Sequence, residues 1–195
     1  MTFLEKVIQW DKELFLYLNG KHVDFLDPIM QTITASKTWI PFYLILVGFV
    51  YYKYRKHSWL IFLGVGLVIL LADQTTSGFM KPFFERFRPC HDPEIKDLVH
   101  LVKGCGGRYG FASSHAANTF GLATFLYVRT HKQLKWMGWL FLWAAIVSYS
   151  RIYVGVHYPL DIIVGGLIGV ISGLIGSYFV VYTSKKLKID DKVLK

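Results

Sequence analysis

The fold class predicted for this chain is an all-α, polytopic membrane bundle of about five transmembrane helices, preceded by interfacial N-terminal helices. Three observations predict it. Of the 195 residues, 53% are hydrophobic and only 18% charged, less charge than soluble domains usually carry. The apolar residues gather into long runs bracketed by Lys and Arg. Aromatic residues are abundant, with 6 Trp, 12 Tyr and 15 Phe, which suits a chain crossing membrane–water boundaries. On a soluble domain the net charge of +9 would suggest a nucleic-acid partner. Here it reads as cations flanking apolar spans plus a site for an anionic substrate, so no nucleic-acid partner is expected.

Residues 1–36 are expected to be interfacial amphipathic helices. Phe3, Leu4, Val7, Ile8, Leu14, Phe15 and Leu18 recur at helical spacing, which describes a helix lying in the interface or packed against the spans. Charges interrupt the stretch and no cleavage site follows it, so it does not read as a signal peptide. Residues 20–36 are too polar for a span and read as a second interfacial or re-entrant helix. Residues 37–184 form the membrane-embedded domain, with spans at 38–52, 58–80, 114–128, 136–150 and 162–184. A crossing needs roughly 20 apolar residues, so the shorter three rely on snorkelling Lys and Arg at their ends. The 58–80 run is broken only by Asp73, which shares a helix face with Ser77 and Lys81 and reads as a support or structural partner. In the last run, Gly165, Gly169 and Gly173 recur every fourth residue, a pattern for close helix packing. A basic tail follows at 185–195.

Three basic clusters (Lys53, Arg55 and Lys56; Arg129, Lys132 and Lys135; Lys185, Lys186 and Lys188) fall on one side of a five-span chain, which is therefore assigned to the cytoplasm. The links 81–113 and 151–161 then share the opposite, periplasmic or extracellular face of the cell (inner) membrane. Both cysteines, Cys90 and Cys105, lie in the longer link, where a disulfide is chemically allowed; two free thiols are the alternative. His91, Asp92 and Glu94 lie nearby, but their spacing matches no standard zinc pattern, so no metal is expected.

The same two links hold the unusual chemistry. "KPFFERFRP" carries Lys81 and Arg88, "GFASSHAANTF" carries Ser113, Ser114 and His115 at a helix start, and "SRIYVGVHYPLD" carries Arg151, His157 and Asp161. Taken singly, each residue has a plain role: Lys81, Arg88 and Arg151 as interface anchors, His115 as a hydrogen-bonded histidine, Asp161 as a helix cap. Taken together, three cations and a helix N-terminus make a cradle for phosphate oxygens. Asp161, four residues after His157, is placed to fix its tautomer and leave the other ring nitrogen free to attack. His115 is suited to protonate a leaving group.

These three stretches resemble the signature of the type 2 phosphatidic acid phosphatase family: Lys, six residues, Arg-Pro; Pro-Ser-Gly-His; Ser-Arg, five residues, His, three residues, Asp. The first and third match in full. The second reads "ASSH", with Ala112 for the proline and Ser114 for the glycine. The resemblance covers roughly residues 40–183. It implies metal-independent, cofactor-free hydrolysis of a lipid phosphomonoester or diphosphate through a phosphohistidine. His157 would be the nucleophile, Asp161 its orienting group and His115 the acid. Lys81, Arg88, Ser113, Ser114 and Arg151 would bind the phosphate. Candidate substrates are an isoprenyl diphosphate, phosphatidic acid or phosphatidylglycerol phosphate, and a lipid A phosphate, with membrane lipids as the surroundings. The vanadate-dependent haloperoxidases share the signature but are soluble. A non-catalytic anionic-lipid binding or transport protein is the alternative; it would need the cations but no nucleophile.

Overall fold

The computed structural model describes residues 2–130 and 135–189. The expected basic positions Lys132 and 190–195 of the tail lie outside the described residues. Among those described the chain is helical, with a single isolated bridge between Phe87 and Tyr109 in place of any strand. The helices are α1 (Phe3–Asn19), α2 (Asp27–Thr34), α3 (Ile40–Tyr54), α4 (Ser58–Asp73), α5 (Lys81–Phe84), α6 (Ser114–Thr130), α7 (Trp139–Tyr153) and α8 (Pro159–Lys186). A π-helical stretch, Gln74–Met80, carries α4 directly into α5. Among the described residues two helical stretches are long and apolar enough to cross a membrane: Ser36–Phe84 (49 residues), which turns at Arg55, and Pro159–Lys186 (28 residues). The turn at Arg55 folds α4 back along α3, so that Tyr43 and Val50 of one and Phe62 and Ile69 of the other line the same cavity.

Helix α6 is the hub. It packs against α4, α7 and α8, and most of its length is buried. That explains why its sequence tolerates Ser, His, Asn and Thr: a helix wrapped by protein need not be apolar on every face. Against α8 the approach is very close. An added methyl at Gly165 would collide with the Ser113 carbonyl oxygen, and one at Gly169 with that of Ala117. At Gly173 it would lie 2.7 Å from the Gly121 oxygen. The four-residue glycine repeat is thus the seam on which α6 lies. Gly176 performs the same service for α4, where a side chain would strike Val68.

Helix α1 buries Asp11, Phe15 and Asn19, one stripe at four-residue steps, and packs on α7 and α8. Phe3, Leu4, Trp10 and Tyr17 remain exposed on its other sides. Its buried stripe thus sets two polar residues, Asp11 and Asn19, beside Phe15 against the protein, while these four apolar residues face outward. The polar stretch read as re-entrant becomes α2, which rests on α7. Arg151, assigned by sequence to the link, lies within α7, where a cation near a helix C-terminus meets the negative end of the dipole. Pro159 opens α8 as expected for a first-turn proline. At about 1.5 Å per residue α8 spans roughly 42 Å, with Asp161 at one end and Lys185 and Lys186 at the other.

The glycine seam makes a direct prediction. Gly169→Ala should lower stability by about 1–3 kcal/mol, because Ala117 backbone cannot move aside. Gly66→Ala, where an added methyl meets nothing within 4 Å, should be neutral or stabilising by up to about 1 kcal/mol. Thermal midpoints of the two variants in the same detergent check this; equal shifts would refute it.

Candidate active site

The site forms where the start of α6, the start of α8 and the 81–110 stretch converge. Asp161 sits at the third position of α8, and its carboxylate serves two purposes at once. Its Oδ2 accepts the Tyr158 backbone N–H at 3.0 Å, closing the helix start, and faces His157 Nδ1 at 3.1 Å. The cap of the plain reading is therefore present, and the same carboxylate lies within hydrogen-bond distance of the imidazole. The carboxylate requires a hydrogen on Nδ1, which leaves Nε2 with its lone pair. His157 is 2% exposed and Asp161 fully buried. Burial first, then the charges of Arg151, Arg88 and Lys81, push the His157 imidazole well below its usual value of 6.5, so it is neutral at physiological pH.

The same three cations converge on His157 from different elements. Arg88 is held by the Tyr109 and Cys105 carbonyl oxygens, each at 3.3 Å. Arg151 donates through Nη1 to Thr34 at 2.7 Å, while its Nε is buried with no protein partner. Lys81 donates to Ser114 Oγ at 2.8 Å and to Ser77 Oγ at 3.1 Å. Among the described residues none of the three is paired with a carboxylate. Ser77 also reaches Asp73, so the Asp73–Ser77–Lys81 face read from the sequence exists as a hydrogen-bonded row on the α4–α5 arm.

The second motif divides. Ser113 N donates to the Asp161 carbonyl oxygen at 3.0 Å, which ties the start of α6 to α8. Its hydroxyl is buried without a partner. Ser114 Oγ is fully engaged by Lys81, Thr76 at 2.9 Å and Ser77 at 2.8 Å. His115 lies across the site, its Nε2 3.4 Å from Ser36 Oγ, with the cations Arg151, Lys81 and Arg88 and the His157 imidazole as its neighbours. It stands with Thr34, Ser36, Asn118 and Thr119 at the polar part of a cavity of about 420 Å³, whose other walls are mainly apolar (Leu46, Val50, Leu122 and Leu126 among others). The cavity runs between α3, α4, α6 and α7. On the side of α6 that faces α8, the glycine seam leaves no such space.

Three residues of the site were not singled out from sequence. Arg86 bridges Asp161 at 3.0 Å and Asp11 at 2.6 Å. Asp11 is 2% exposed although it lies on the N-terminal helix. Gly110 keeps the space beside the pair open: a methyl there would lie 3.0 Å from Asp161 Oδ2 and 3.5 Å from His157 Nδ1. The available signal for Arg86 was its place inside the first motif. Asp11 had only its four-residue register with Phe15 and Asn19.

Asp92 and Glu94 engage Lys12 at 2.9 and 2.7 Å, and among the described residues no group of three or more His, Cys, Asp or Glu is placed to hold a metal. Cys90 and Cys105 are joined in a disulfide with Cα atoms 6.0 Å apart.

The family model of the PAP2 superfamily matches residues 59–185. A lipid A 4'-phosphatase of Porphyromonas gingivalis is 40% identical over 173 residues, covering 87% of this chain and 72% of that protein. The crystal structure of Aquifex aeolicus LpxE superposes with a TM-score of 0.66 at 30% identity, covering 84% of this chain and 92% of that one. A transmembrane PAP2-type phosphatidylglycerolphosphate phosphatase from Bacillus subtilis shares the fold, with a TM-score of 0.68 at 23% identity and coverage of 89% and 86%.

The disulfide closes a segment of 15 residues that carries the Cys105 carbonyl holding Arg88. Replacing both cysteines by serine should reduce stability by about 3 kcal/mol through the freer unfolded chain. Non-reducing mass mapping should find no alkylated thiol in the wild-type protein; two freely alkylated thiols would contradict the bridge.

Proposed function

The chain belongs to the PAP2 superfamily and is a membrane lipid phosphatase; from that premise we propose that it removes the phosphate of a lipid A-type phosphomonoester, with His157 as nucleophile, Asp161 as its orienting group and His115 as the acid. The observation that carries this reading is the buried His157–Asp161 pair facing three cations that have no carboxylate of their own. Buried charges are costly unless paired. A phosphate dianion is the partner that Lys81, Arg88 and Arg151 lack, and the unpartnered Ser113 hydroxyl and Arg151 Nε are further donors for it. The lipid A assignment rests on the 40% identity to a protein of that name. The apolar cavity below His115 supports an amphiphile, since a volume of about 420 Å³ falls in the roughly 300–1,000 Å³ range of ligand sites and leads from the phosphate into the bundle.

The proposed reaction has two steps. His157 Nε2 uses its lone pair to form the N–P bond, and Asp161 stabilises the positive imidazole through the Nδ1 hydrogen bond. The P–O bond to the lipid breaks, its electron pair goes to the lipid oxygen, and His115, which enters the step as imidazolium with the phosphate dianion bound beside it, transfers its proton there and becomes neutral. Water then gives a proton back to His115 and attacks phosphorus, the N–P bond breaks, and inorganic phosphate leaves. The cations hold the phosphoryl oxygens throughout, so fixed protein charge supplies the transition-state stabilisation. Ser114, where the family signature has glycine, acts through Lys81, whose ammonium it fixes. With the lysine-rich end of α8 at the cytoplasm, the site opens on the periplasmic or extracellular face.

The two histidines are separated by leaving group. A lipid alkoxide needs an acid, whereas a nitrophenolate leaves without one. His115→Ala should lose most kcat/KM on a lipid phosphate and keep a substantial part on p-nitrophenyl phosphate. His157→Ala should be inactive on both, and Asp161→Asn impaired on both. Wild-type activity should survive EDTA and be blocked by vanadate. Activity of His157→Ala on the nitrophenyl ester, with His115→Ala inactive on both, would reverse the assignment.

A further inference from the structure

Asp11 is a buried acid remote from all three motifs in sequence, yet only two residues, Arg86 and Asp161, stand between it and the nucleophile. Its Oδ2 takes Arg86 Nη2 at 2.6 Å, and its Oδ1 takes the Leu160 backbone N–H at 2.9 Å, one of the unpaired donors at the start of α8. Arg86 turns its other terminal nitrogen, Nη1, to Asp161 Oδ1 at 3.0 Å. The guanidinium lies over the Tyr158 ring, 4.1 Å from its centre. Phe15 of the same α1 packs on that ring, and Tyr158 donates its hydroxyl to Asp92, the partner of Lys12. Adjacent residues of α1 therefore brace the α8 start by two routes.

Two physical needs meet at Arg86. A carboxylate that aims an imidazole must itself be fixed, because the terminal torsion of an aspartate is soft. Oδ2 of Asp161 is fixed by His157 and Tyr158, and Arg86 fixes Oδ1, so that both oxygens are held. Arg86 must also be kept from joining Lys81, Arg88 and Arg151 on the phosphate. Splitting its planar fork between two carboxylates achieves that, which a compact ammonium does not reproduce.

We propose that Asp11 and Arg86 are positioning residues of the hydrolytic reaction: Arg86 locks the Asp161 carboxylate in the plane that aims His157, and Asp11, from the N-terminal helix, holds Arg86 there. This rests on the function proposed above. Neither residue touches the reacting atoms, so their effect belongs to the attack of His157 and not to phosphate binding or to departure of the lipid.

The test uses the full-length enzyme in detergent with a lipid phosphate and with p-nitrophenyl phosphate. Asp11→Asn and Arg86→Gln should each lower kcat by about 10- to 100-fold, the scale of a small misplacement of a reacting group, and to the same degree on both substrates. Competitive inhibition by inorganic phosphate, which reads the cation cradle, should be unchanged and also shows that the site is folded. Arg86→Lys should be as impaired as Arg86→Gln. The double variant should be no slower than Arg86→Gln alone, since Asp11 acts through Arg86. Asp11→Asn is the deciding variant because it keeps an acceptor for Leu160 N–H. Variants with a lowered thermal midpoint but wild-type kcat below it would overturn the inference and leave a structural tie. So would losses that multiply in the double variant. A wild-type protein that releases no phosphate would instead overturn the function, whereas an active wild type with fully active variants overturns this inference alone.

Discussion

The contact between α6 and α8 sets what the rest of the structure can do. Ser113 immediately precedes α6, His115 lies in its first turn, and Asp161 lies in the first turn of α8. The two helix starts come together because Gly165, Gly169 and Gly173 let the two backbones approach to a distance no side chain would permit. The hydrogen bond from Ser113 N to the Asp161 carbonyl oxygen pins the two starts together at the end where the chemistry lies. Packing within the membrane and assembly of the site are thus one interaction.

Charge around this seam is divided in a purposeful way. Arg86 is neutralised twice, by Asp11 and Asp161, and is part of the scaffold. Lys81, Arg88 and Arg151 are held by hydroxyls and carbonyls, which orient a cation without cancelling it. A site that must bind a dianion in low-dielectric surroundings needs such cations, fixed in advance and left unneutralised. The neutral state of His157 follows from the same arrangement, since burial and these charges oppose its protonation.

The membrane enters through shape. The cavity below His115 is largely apolar along α3 and α4, while α6 lines it with His115, Asn118 and Thr119 and then with Leu122 and Leu126, and Thr34 and Ser36 complete the polar end. For the function proposed above, an amphiphile suits that gradient, its phosphate at the cation cluster and part of a chain in the bundle. Helix α1 complements this from the other side, with polar groups turned to the site and Phe3, Leu4 and Trp10 turned outward.

Much was determined by the sequence alone. Apolar runs and their basic flanks gave the helical bundle, the four-residue glycine repeat gave a packing seam, and the spacing of His157 and Asp161 gave a pair on one turn, because each of these depends on short-range periodicity. The three motifs gave the phosphate chemistry for the same reason. What tertiary structure decided lies in contacts between distant segments. Asp11 and Arg86 are 75 residues apart, and nothing local marks an aspartate on an amphipathic helix as buried. The cavity sits among α3, α4, α6 and α7 because α8 is sealed against α6, an outcome of packing that no single stretch encodes. The partners of the Ser114 hydroxyl, Lys81, Thr76 and Ser77, were likewise brought to it by α4 and its π-helical extension. Side-chain identity and spacing state which chemistry is available; the meeting of helices far apart in the chain states which atoms are free to perform it.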